Sequence, residues 1–236
     1  MKEKLYTIPV NDAFDSECEC PVCFMRKTLE DNAVEFTMGP SYMEDDVRAE
    51  TDKIGFCNYH LSKMYENQNR LGLALMLKTH MDKTIKDLEQ ISLKKVKGPG
   101  LFKKNTEASP VKEYTDNLKN SCYICNKVEN TFKLYITTLF SLYNSEEAFR
   151  QKFKTSKGFC NTHFGLLHEA APNHLSGDKL DNFLKELNQV YLENMKRVRD
   201  DLEWFIDKFD YRYVNEPWKN SKDALPRSMT KTNSTL

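Results

Sequence analysis

The feature that most constrains this chain is a pattern of cysteine and histidine pairs that occurs twice in the same order. The first copy reads Cys20-Pro-Val-Cys23 and then Cys57-Asn-Tyr-His60, with 33 residues between the two pairs. The second copy reads Cys122-Tyr-Ile-Cys125 and then Cys160-Asn-Thr-His163, with 34 residues between them. Each copy holds three thiols and one imidazole, which is the donor set of a closed, four-coordinate zinc site.

The spacing within each copy predicts which ligands meet. Two cysteines separated by two residues aim both sulfurs at one point, and Cys-x-x-His does the same with one sulfur and one ring nitrogen. The simplest pairing joins the two half-sites of the same copy. One predicted zinc site therefore consists of Cys20, Cys23, Cys57 and His60, and the other consists of Cys122, Cys125, Cys160 and His163. Iron, or an iron–sulfur cluster with one histidine ligand, remains an alternative.

Matches outside the ligands indicate an internal duplication. Gly55-Phe56 precedes the first Cys-x-x-His, and Gly158-Phe159 precedes the second. Apolar residues recur at intervals of three and four through both copies, which is typical of amphipathic helices. The sequence predicts a mostly α-helical protein of two tandem homologous halves, each closed by a Cys3His metal site, with a long C-terminal helix and an extended tail.

The breaks in these patterns predict the domain boundaries. Residues 1–97 form the N-terminal helical zinc-binding repeat, residues 98–120 a linker rich in Gly, Pro and Ser, and residues 121–209 the C-terminal repeat. Residues 210–236 form the tail, for which Trp218 is a candidate anchor on the helices. A recognition surface on this tail is one hypothesis, and a structural cap is the other. The residues of the possible recognition surface are Asp210, Arg212, Trp218, Asp223 and Arg227.

Composition limits the classes of function. The chain has 35 basic and 35 acidic residues, and this balance argues against a general nucleic-acid-binding protein. No stretch approaches the length of a membrane span, and the N-terminus lacks an apolar leader, so we expect a cytoplasmic protein without a membrane span. Cysteines in a reducing compartment favour metal binding over disulfides. Cys18 has no counterpart in the second copy and is expected to be a spare thiol.

The motifs do not include a recognisable catalytic site. Three thiolates and one imidazole fill the coordination shell of zinc and leave no position for a reacting water. The sequence also lacks a phosphate-binding glycine loop and a nucleophile elbow. The residues therefore favour a non-enzymatic module that binds a protein partner not specified by the sequence, and they leave the oligomeric state open. A thiol-based redox or metal sensor is the first alternative. Nucleic-acid binding through the basic segment from Lys94 to Lys104 is the second.

The whole pattern resembles a family of uncharacterised bacterial proteins that is defined as a domain of unknown function. The resemblance covers nearly the full length. It implies the fold and supplies no activity. The matching segments are CPVC at 20–23, GFCNYH at 55–60, LALML at 73–77, CYIC at 122–125, GFCNTH at 158–163, WFIDKFDYR from 204 and PWKNSKDALPR ending at 227.

Overall fold

A computed structural model describes residues 3–93 and 108–234 of the chain. These residues form eleven α-helices and short 3-10 turns, with no β-strand among them, so the predicted mostly α-helical class is confirmed. The helices are α1 (Thr7–Asp15), α2 (Pro21–Met38), α3 (Asp45–Ile54), α4 (Asn58–Glu66), α5 (Arg70–Ser92), α6 (Pro110–Lys119), α7 (Tyr123–Ser145), α8 (Glu147–Thr155), α9 (Asn161–Ala170), α10 (Asp178–Asp207) and α11 (Ala224–Asn233).

Part of the segment expected to be a linker is a helix. Residues 98–107 lie outside the described part of the chain, but α6 occupies most of the remainder. The Ser109 side chain accepts a hydrogen bond from the Lys112 backbone N–H, and Pro110 takes the first helical position. A Ser-Pro pair is a good helix start, because the hydroxyl caps a free N–H and proline has no N–H to leave unpaired. The prediction of a linker through residue 120 interpreted the Ser-Pro pair as a helix breaker, whereas it starts α6.

The tail is also more ordered than expected. Residues from Asp210 form a series of turns, and the chain then enters α11, which packs against α9 and α10. Trp218 is half-buried with its ring 6.0 Å from that of Phe205, as expected for an anchor. The expectation of an extended tail was therefore wrong for residues 224–233. The long C-terminal helix is confirmed as α10, with 30 residues.

The chain divides into two compact units that differ from the predicted halves. The first unit contains Met1–Thr28 and Thr131–Leu236, and the second contains Leu29–Asn130. Both boundaries fall inside helices, within α2 and within α7. Neither unit coincides with residues 1–97 or 121–209, because each unit combines segments from both copies of the predicted repeat.

Aromatic rings fill the core of the first unit. The Phe153 side chain is fully buried, and its ring lies 5.3 Å from those of Tyr143 and Phe159 and 5.4 Å from that of Phe183. Phe14 of α1 adds a ring 6.0 Å from Phe153. These rings come from α1, α7, α8, α10 and the segment before α9, so one cluster ties together helices that are distant in sequence.

The core of the second unit is mainly aliphatic. It brings together α2, α3, α4, α5 and the start of α7, and α3 packs along α5. Met64 of α4 and Met76 of α5 are fully buried within it. Cys122, Tyr123 and Ile124 belong to the same cluster. The start of α7 is therefore held in this unit by apolar packing as well as by its cysteines.

The aromatic cluster gives a test of the first unit. We expect Phe153→Ala to lower the free energy of unfolding by about 3–5 kcal/mol, because it removes a fully buried ring and leaves a cavity. Phe209→Ala is the matched control, since Phe209 is 76% exposed, and its effect should stay within about 0.5 kcal/mol. Urea denaturation of both variants measures the difference, and equal effects would contradict this core assignment.

Candidate metal centres

The eight predicted ligands form two clusters, but the half-sites are exchanged relative to the predicted pairing. The cluster named site 1 contains Cys20, Cys23, Cys160 and His163. The cluster named site 2 contains Cys57, His60, Cys122 and Cys125. Each site therefore combines the Cys-x-x-Cys of one copy with the Cys-x-x-His of the other. The predicted pairing within each copy is wrong, whereas the expectation of two Cys3His clusters is confirmed.

Site 1 lies in the first unit and has the dimensions of a metal tetrahedron. Bonds of about 2.3 Å to sulfur and about 2.0 Å to nitrogen require edges of about 3.8 Å between sulfurs and about 3.5 Å between sulfur and nitrogen. The His163 Nδ1 lies 3.6 Å from the Cys20 Sγ and 3.2 Å from the sulfurs of both Cys23 and Cys160. The Cys23 and Cys160 sulfurs are 3.6 Å apart. All four side chains are buried.

Site 2 lies in the second unit and has nearly the same dimensions. The His60 Nδ1 lies 3.3 Å from the sulfur of each of Cys57, Cys122 and Cys125. The Cys57 and Cys125 sulfurs are 3.9 Å apart. The four ligand atoms of each site lie within 4.8 Å of one another. Both donor sets therefore fit a single four-coordinate cation.

Helix starts aim the ligands. Cys20 directly precedes α2, and the Cys23 backbone N–H lies 3.4 Å from the Cys20 sulfur. Cys160 caps α9, and the His163 backbone N–H points to its sulfur at 3.4 Å. The free N–H groups and the positive end of a helix favour a thiolate at this position. In site 2, the Cys125 backbone N–H lies 3.5 Å from the Cys122 sulfur at the start of α7, whereas Cys57 directly precedes α4 without such a hydrogen bond.

Backbone hydrogen bonds join the two half-sites of site 2. Gly55 has φ of +69°, and a side chain there would meet the His80 ring at 2.6 Å, so glycine is required at the turn before Cys57. The Gly55 carbonyl accepts a hydrogen bond of 2.9 Å from the Tyr123 N–H. The Ser121 hydroxyl donates to the Ile54 carbonyl at 2.7 Å. These bonds place the start of α7 beside the turn that leads into α4.

Site 1 makes the corresponding connection through a buried lysine. In the predicted repeat, Pro21 occupies the position equivalent to Tyr123, and proline has no backbone N–H to donate. The Lys231 ammonium of α11 instead donates to the Glu19 carbonyl at 2.7 Å and to the Lys157 carbonyl. Glu19 and Lys157 occupy the positions that Ser121 and Ile54 hold in site 2. A single cation from the C-terminal helix therefore replaces the backbone link of the other site.

The end of α11 adds a second contact to site 1. Ser234 follows the helix in the left-handed conformation, with φ of +53°. Its hydroxyl lies 2.9 Å from the Cys160 sulfur, where it can donate to a thiolate. A thiolate bound to a metal keeps lone pairs that such donors stabilise. Residues of the tail thus form part of the surroundings of site 1.

The lysine lies in a network of charges. Lys231 is 1% exposed, and its ammonium is 3.2 Å from the Glu19 carboxylate, which also receives Arg197 at 2.6 Å. Burial lowers the pKa of Lys231, and the neighbouring Glu19 and Cys20 oppose that effect. Three thiolates around a divalent cation carry a net charge of −1, and a buried ammonium beside them offsets this charge.

A carboxylate orients the histidine of site 2. The His60 Nε2 lies 3.3 Å from the Glu30 carboxylate, whose other oxygen accepts from Tyr59 at 2.9 Å and from Lys63. Burial alone would raise the pKa of Glu30, but the hydrogen bonds from Lys63 and Tyr59 hold it below its ordinary value. The ionised Glu30 favours a proton on Nε2 and leaves Nδ1 free to bind a metal. This is the usual carboxylate–histidine–metal arrangement.

The pKa values of the clustered thiols favour the binding of a cation. Burial, together with hydrogen bonding to Cys160, raises the pKa of Cys20 to about 12. Burial and the neighbouring Cys122 raise the pKa of Cys125 to about 12. Hydrogen bonds from Cys20 and Cys23 lower the pKa of Cys160. Such clusters resist full ionisation on their own, whereas a divalent cation stabilises all three thiolates.

The two sites differ in exposure. The three cysteines of site 1 are at most 2% exposed. In site 2, Cys122 is buried, Cys57 is half-buried and Cys125 is exposed. The two donor sets are chemically identical, but only site 2 contains an exposed cysteine.

The tail residues of the possible recognition surface make contacts within the first unit. The Arg227 side chain is 13% exposed and pairs with Asp201 at 2.8 Å and Asp223 at 2.9 Å. Asp210 and Arg212 form an exposed pair at 2.7 Å. Trp218 packs on Phe205 and lies 5.4 Å from the Lys208 ammonium. The Arg227 side chain therefore forms its ion pairs within the first unit and exposes little surface to solvent.

Cys18 belongs to neither cluster. Cys18 is half-buried and receives the Ser16 hydroxyl at 3.0 Å, away from the four ligands of site 1. The basic segment from Lys94 to Lys104 lies outside the described residues, so nucleic-acid binding through it stays a prediction.

The residues that sequence reasoning missed are Glu30, Ser121, Lys231 and Ser234. Each is a single polar residue outside the repeated motifs. The one available signal was a difference between the copies at equivalent positions, which hold Tyr123 in the second copy and Pro21 in the first. Proline has no backbone N–H, so one site alone lacks this donor.

Comparison with known proteins defines the chain at the level of its family. The chain belongs to the Family of unknown function (DUF6062), whose model matches residues 1–236. No curated protein and no solved structure matches it. Within the described residues, every helix is too short or too polar to cross a lipid bilayer.

Metal content in double variants tests the exchanged pairing. Cys20→Ser with Cys160→Ser removes two ligands from site 1 alone, so one of two bound metal equivalents should remain. Cys20→Ser with Cys57→Ser is the matched control, because it removes two ligands from one copy of the repeat. We expect it to damage both sites and to lose both equivalents.

Elemental analysis of the purified variants measures this difference. Pairing within each copy would give the reverse result, with one equivalent kept by the second double variant and none by the first.

Proposed function

We propose that this chain is a non-enzymatic protein stabilised by two structural zinc ions, and that it acts by binding another protein. The observation that carries the proposal is the closed set of four ligands in each cluster, with all four ligand atoms within 4.8 Å of one another. Zinc accepts three sulfurs and one nitrogen in tetrahedral geometry, whereas iron–sulfur clusters more often have four cysteines. A full coordination shell suits structure and leaves no open position for catalysis.

An apolar groove in the second unit supports the binding role. The groove has a volume of about 370 Å³ and runs between α4 and α5. It is lined by Leu61 and Tyr65 of α4 and by Leu73 and Leu77 of α5. Both pairs have a spacing of four residues, which creates the ridges and groove that an additional helix packs into. The partner surface that fits is therefore the apolar face of an amphipathic helix.

Polar groups border this groove. The Arg70 guanidinium lies 3.6 Å from the centre of the Tyr65 ring, and Glu66 forms part of the lining. Tyr65 itself is 62% exposed. An apolar centre with a charged rim is the usual organisation of a protein–protein interface.

Thiol-based sensing is the second candidate function. The observation that favours it is the exposure of Cys125 at site 2. A solvent-accessible zinc thiolate can react with oxidants, whereas a buried one is protected. This candidate is compatible with the first, because a structural zinc can also report on the thiol state of its ligands.

Metal analysis tests the zinc proposal. Protein purified without added metal should contain two equivalents of zinc. Removal with an excess of a strong chelator should abolish the cooperative thermal transition, because a structural zinc contributes on the order of 10 kcal/mol, which is comparable to the stability of a whole domain. Re-addition of zinc should restore the transition in circular dichroism. Two equivalents of iron, or an unchanged transition in metal-free protein, would contradict the proposal.

Crosslinking tests the groove. A photoreactive phenylalanine analogue at Tyr65 should crosslink a partner protein in cells that express the chain, and the same analogue at Lys78 should not. Binding of the purified partner should then weaken at least about tenfold with Tyr65→Glu, because Tyr65 lines the groove and is 62% exposed, so the variant places a charge in the apolar contact.

Lys78→Glu is the matched control for this measurement, since Lys78 is 71% exposed and the new side chain is the same. Equal affinities of the two variants for the partner would exclude the groove as the binding site. A crosslink between two copies of the chain would show self-association and contradict the proposal of a different partner protein.

A further inference from the structure

We infer that peroxide oxidises site 2 selectively, and that the product is a disulfide between Cys125 and Cys57. The inference rests on the proposed zinc ions and assigns different behaviour to the two sites. It follows from exposure, sulfur geometry and the distinct surroundings of each cluster.

Accessibility selects the first sulfur to react. Peroxide must reach a thiolate in line with its O–O bond, so a buried sulfur reacts slowly whatever its charge. Cys125 is the exposed cysteine of the two clusters, and Cys20, Cys23 and Cys160 of site 1 are at most 2% exposed. The Cys125 thiolate is therefore the point of attack.

Geometry selects the second sulfur. The Cys57 Sγ lies 3.9 Å from the Cys125 Sγ and is half-buried, whereas Cys122 is buried. A disulfide needs the sulfurs about 2.05 Å apart, so a shift of about 2 Å suffices. Cys57 stands at the start of α4, where a small movement of the turn can bring it closer.

The chemistry balances with hydrogen peroxide as the oxidant. The Cys125 thiolate attacks one peroxide oxygen, the O–O bond breaks, and hydroxide leaves to be protonated as water. The Cys57 thiolate then attacks the sulfur of the resulting sulfenic acid and expels a second hydroxide, which also becomes water. Two thiolates lose two electrons, and one peroxide gains them. The metal keeps only Cys122 and His60 and dissociates.

The surroundings of site 1 prevent the same reaction there. The Ser234 hydroxyl lies 2.9 Å from the Cys160 sulfur, and the Lys231 ammonium joins the two half-sites through the Glu19 and Lys157 carbonyls. Both residues belong to the C-terminal helix region, which packs against α9. This cover excludes the oxidant and holds the half-sites together.

Oxidation of site 2 also reaches the proposed binding groove. α4 carries the ligand His60 and the groove residues Leu61 and Tyr65. Loss of the metal frees the first turn of α4 from the start of α7. The state of the thiols thereby controls the position of one wall of the groove.

Zinc release from the full-length, zinc-loaded chain tests this inference. Metal content is measured first, and peroxide is then added with a chromophoric zinc chelator. We expect one equivalent to be released at least about tenfold faster than the other. Peptide mapping at the end of the fast phase should find a Cys57–Cys125 disulfide and unmodified cysteines at site 1.

Two variants sharpen the result. Cys125→His removes the reactive sulfur and offers a ring nitrogen as the fourth ligand, so in variant protein reloaded with zinc the fast phase should disappear. Cys18→Ser is the control, because Cys18 is a half-buried thiol outside both clusters, and it should leave the fast phase unchanged. If Cys125→His fails to fold, peptide mapping of the unaltered chain still decides.

The outcomes separate the two proposals. A chain that carries no zinc overturns the proposed function and this inference together. Two bound equivalents that leave at the same rate, a disulfide at site 1, or retention of both ions under peroxide overturns this inference alone.

Discussion

The structure depends on two cysteine–histidine clusters that join segments far apart in sequence. Cys20 and His163 meet across 143 residues, and Cys122 and His60 meet across 62. Contacts at such separations cost chain entropy, and the cost grows slowly with loop length. Apolar packing offsets part of it, through the aromatic cluster of the first unit and the aliphatic core of the second. A cation bound by the three thiolates and the imidazole would add an interaction strong enough to fix both half-sites.

The sequence predicted the ligands but could not predict their pairing. The donor set is Cys3His whether the half-sites pair within a copy or between copies, so residue types and spacing are equally consistent with both. Pairing within a copy gives shorter loops and is favoured by loop entropy alone. The structure has the exchanged pairing because apolar packing places the start of α7 beside α4, with the Tyr123 N–H bonded to the Gly55 carbonyl. Such packing has no signature in motif spacing.

Helical class and the long α10 followed directly from periodicity, whereas α6, α11 and the surroundings of the metal sites did not. The start of α6 depends on one Ser-Pro pair, and α11 carries Pro226 in its first turn, where a proline is tolerated but indicates a break when only the sequence is considered. Glu30 and Lys231 act through single contacts that form only when distant helices pack together. Their roles depend on tertiary structure, so no local pattern distinguishes them from ordinary surface charges.

The difference between the two sites can be traced to one position. Where site 2 has Tyr123 and a backbone N–H donor, site 1 has Pro21 and no donor. The missing hydrogen bond leaves two half-sites that need another link, and the Lys231 ammonium supplies it from α11. The end of the same helix brings the Ser234 hydroxyl to the Cys160 sulfur. This C-terminal region therefore both links the two half-sites of site 1 and contacts one of its sulfurs. Site 2 closes with its own backbone hydrogen bonds, and its Cys125 is exposed to solvent.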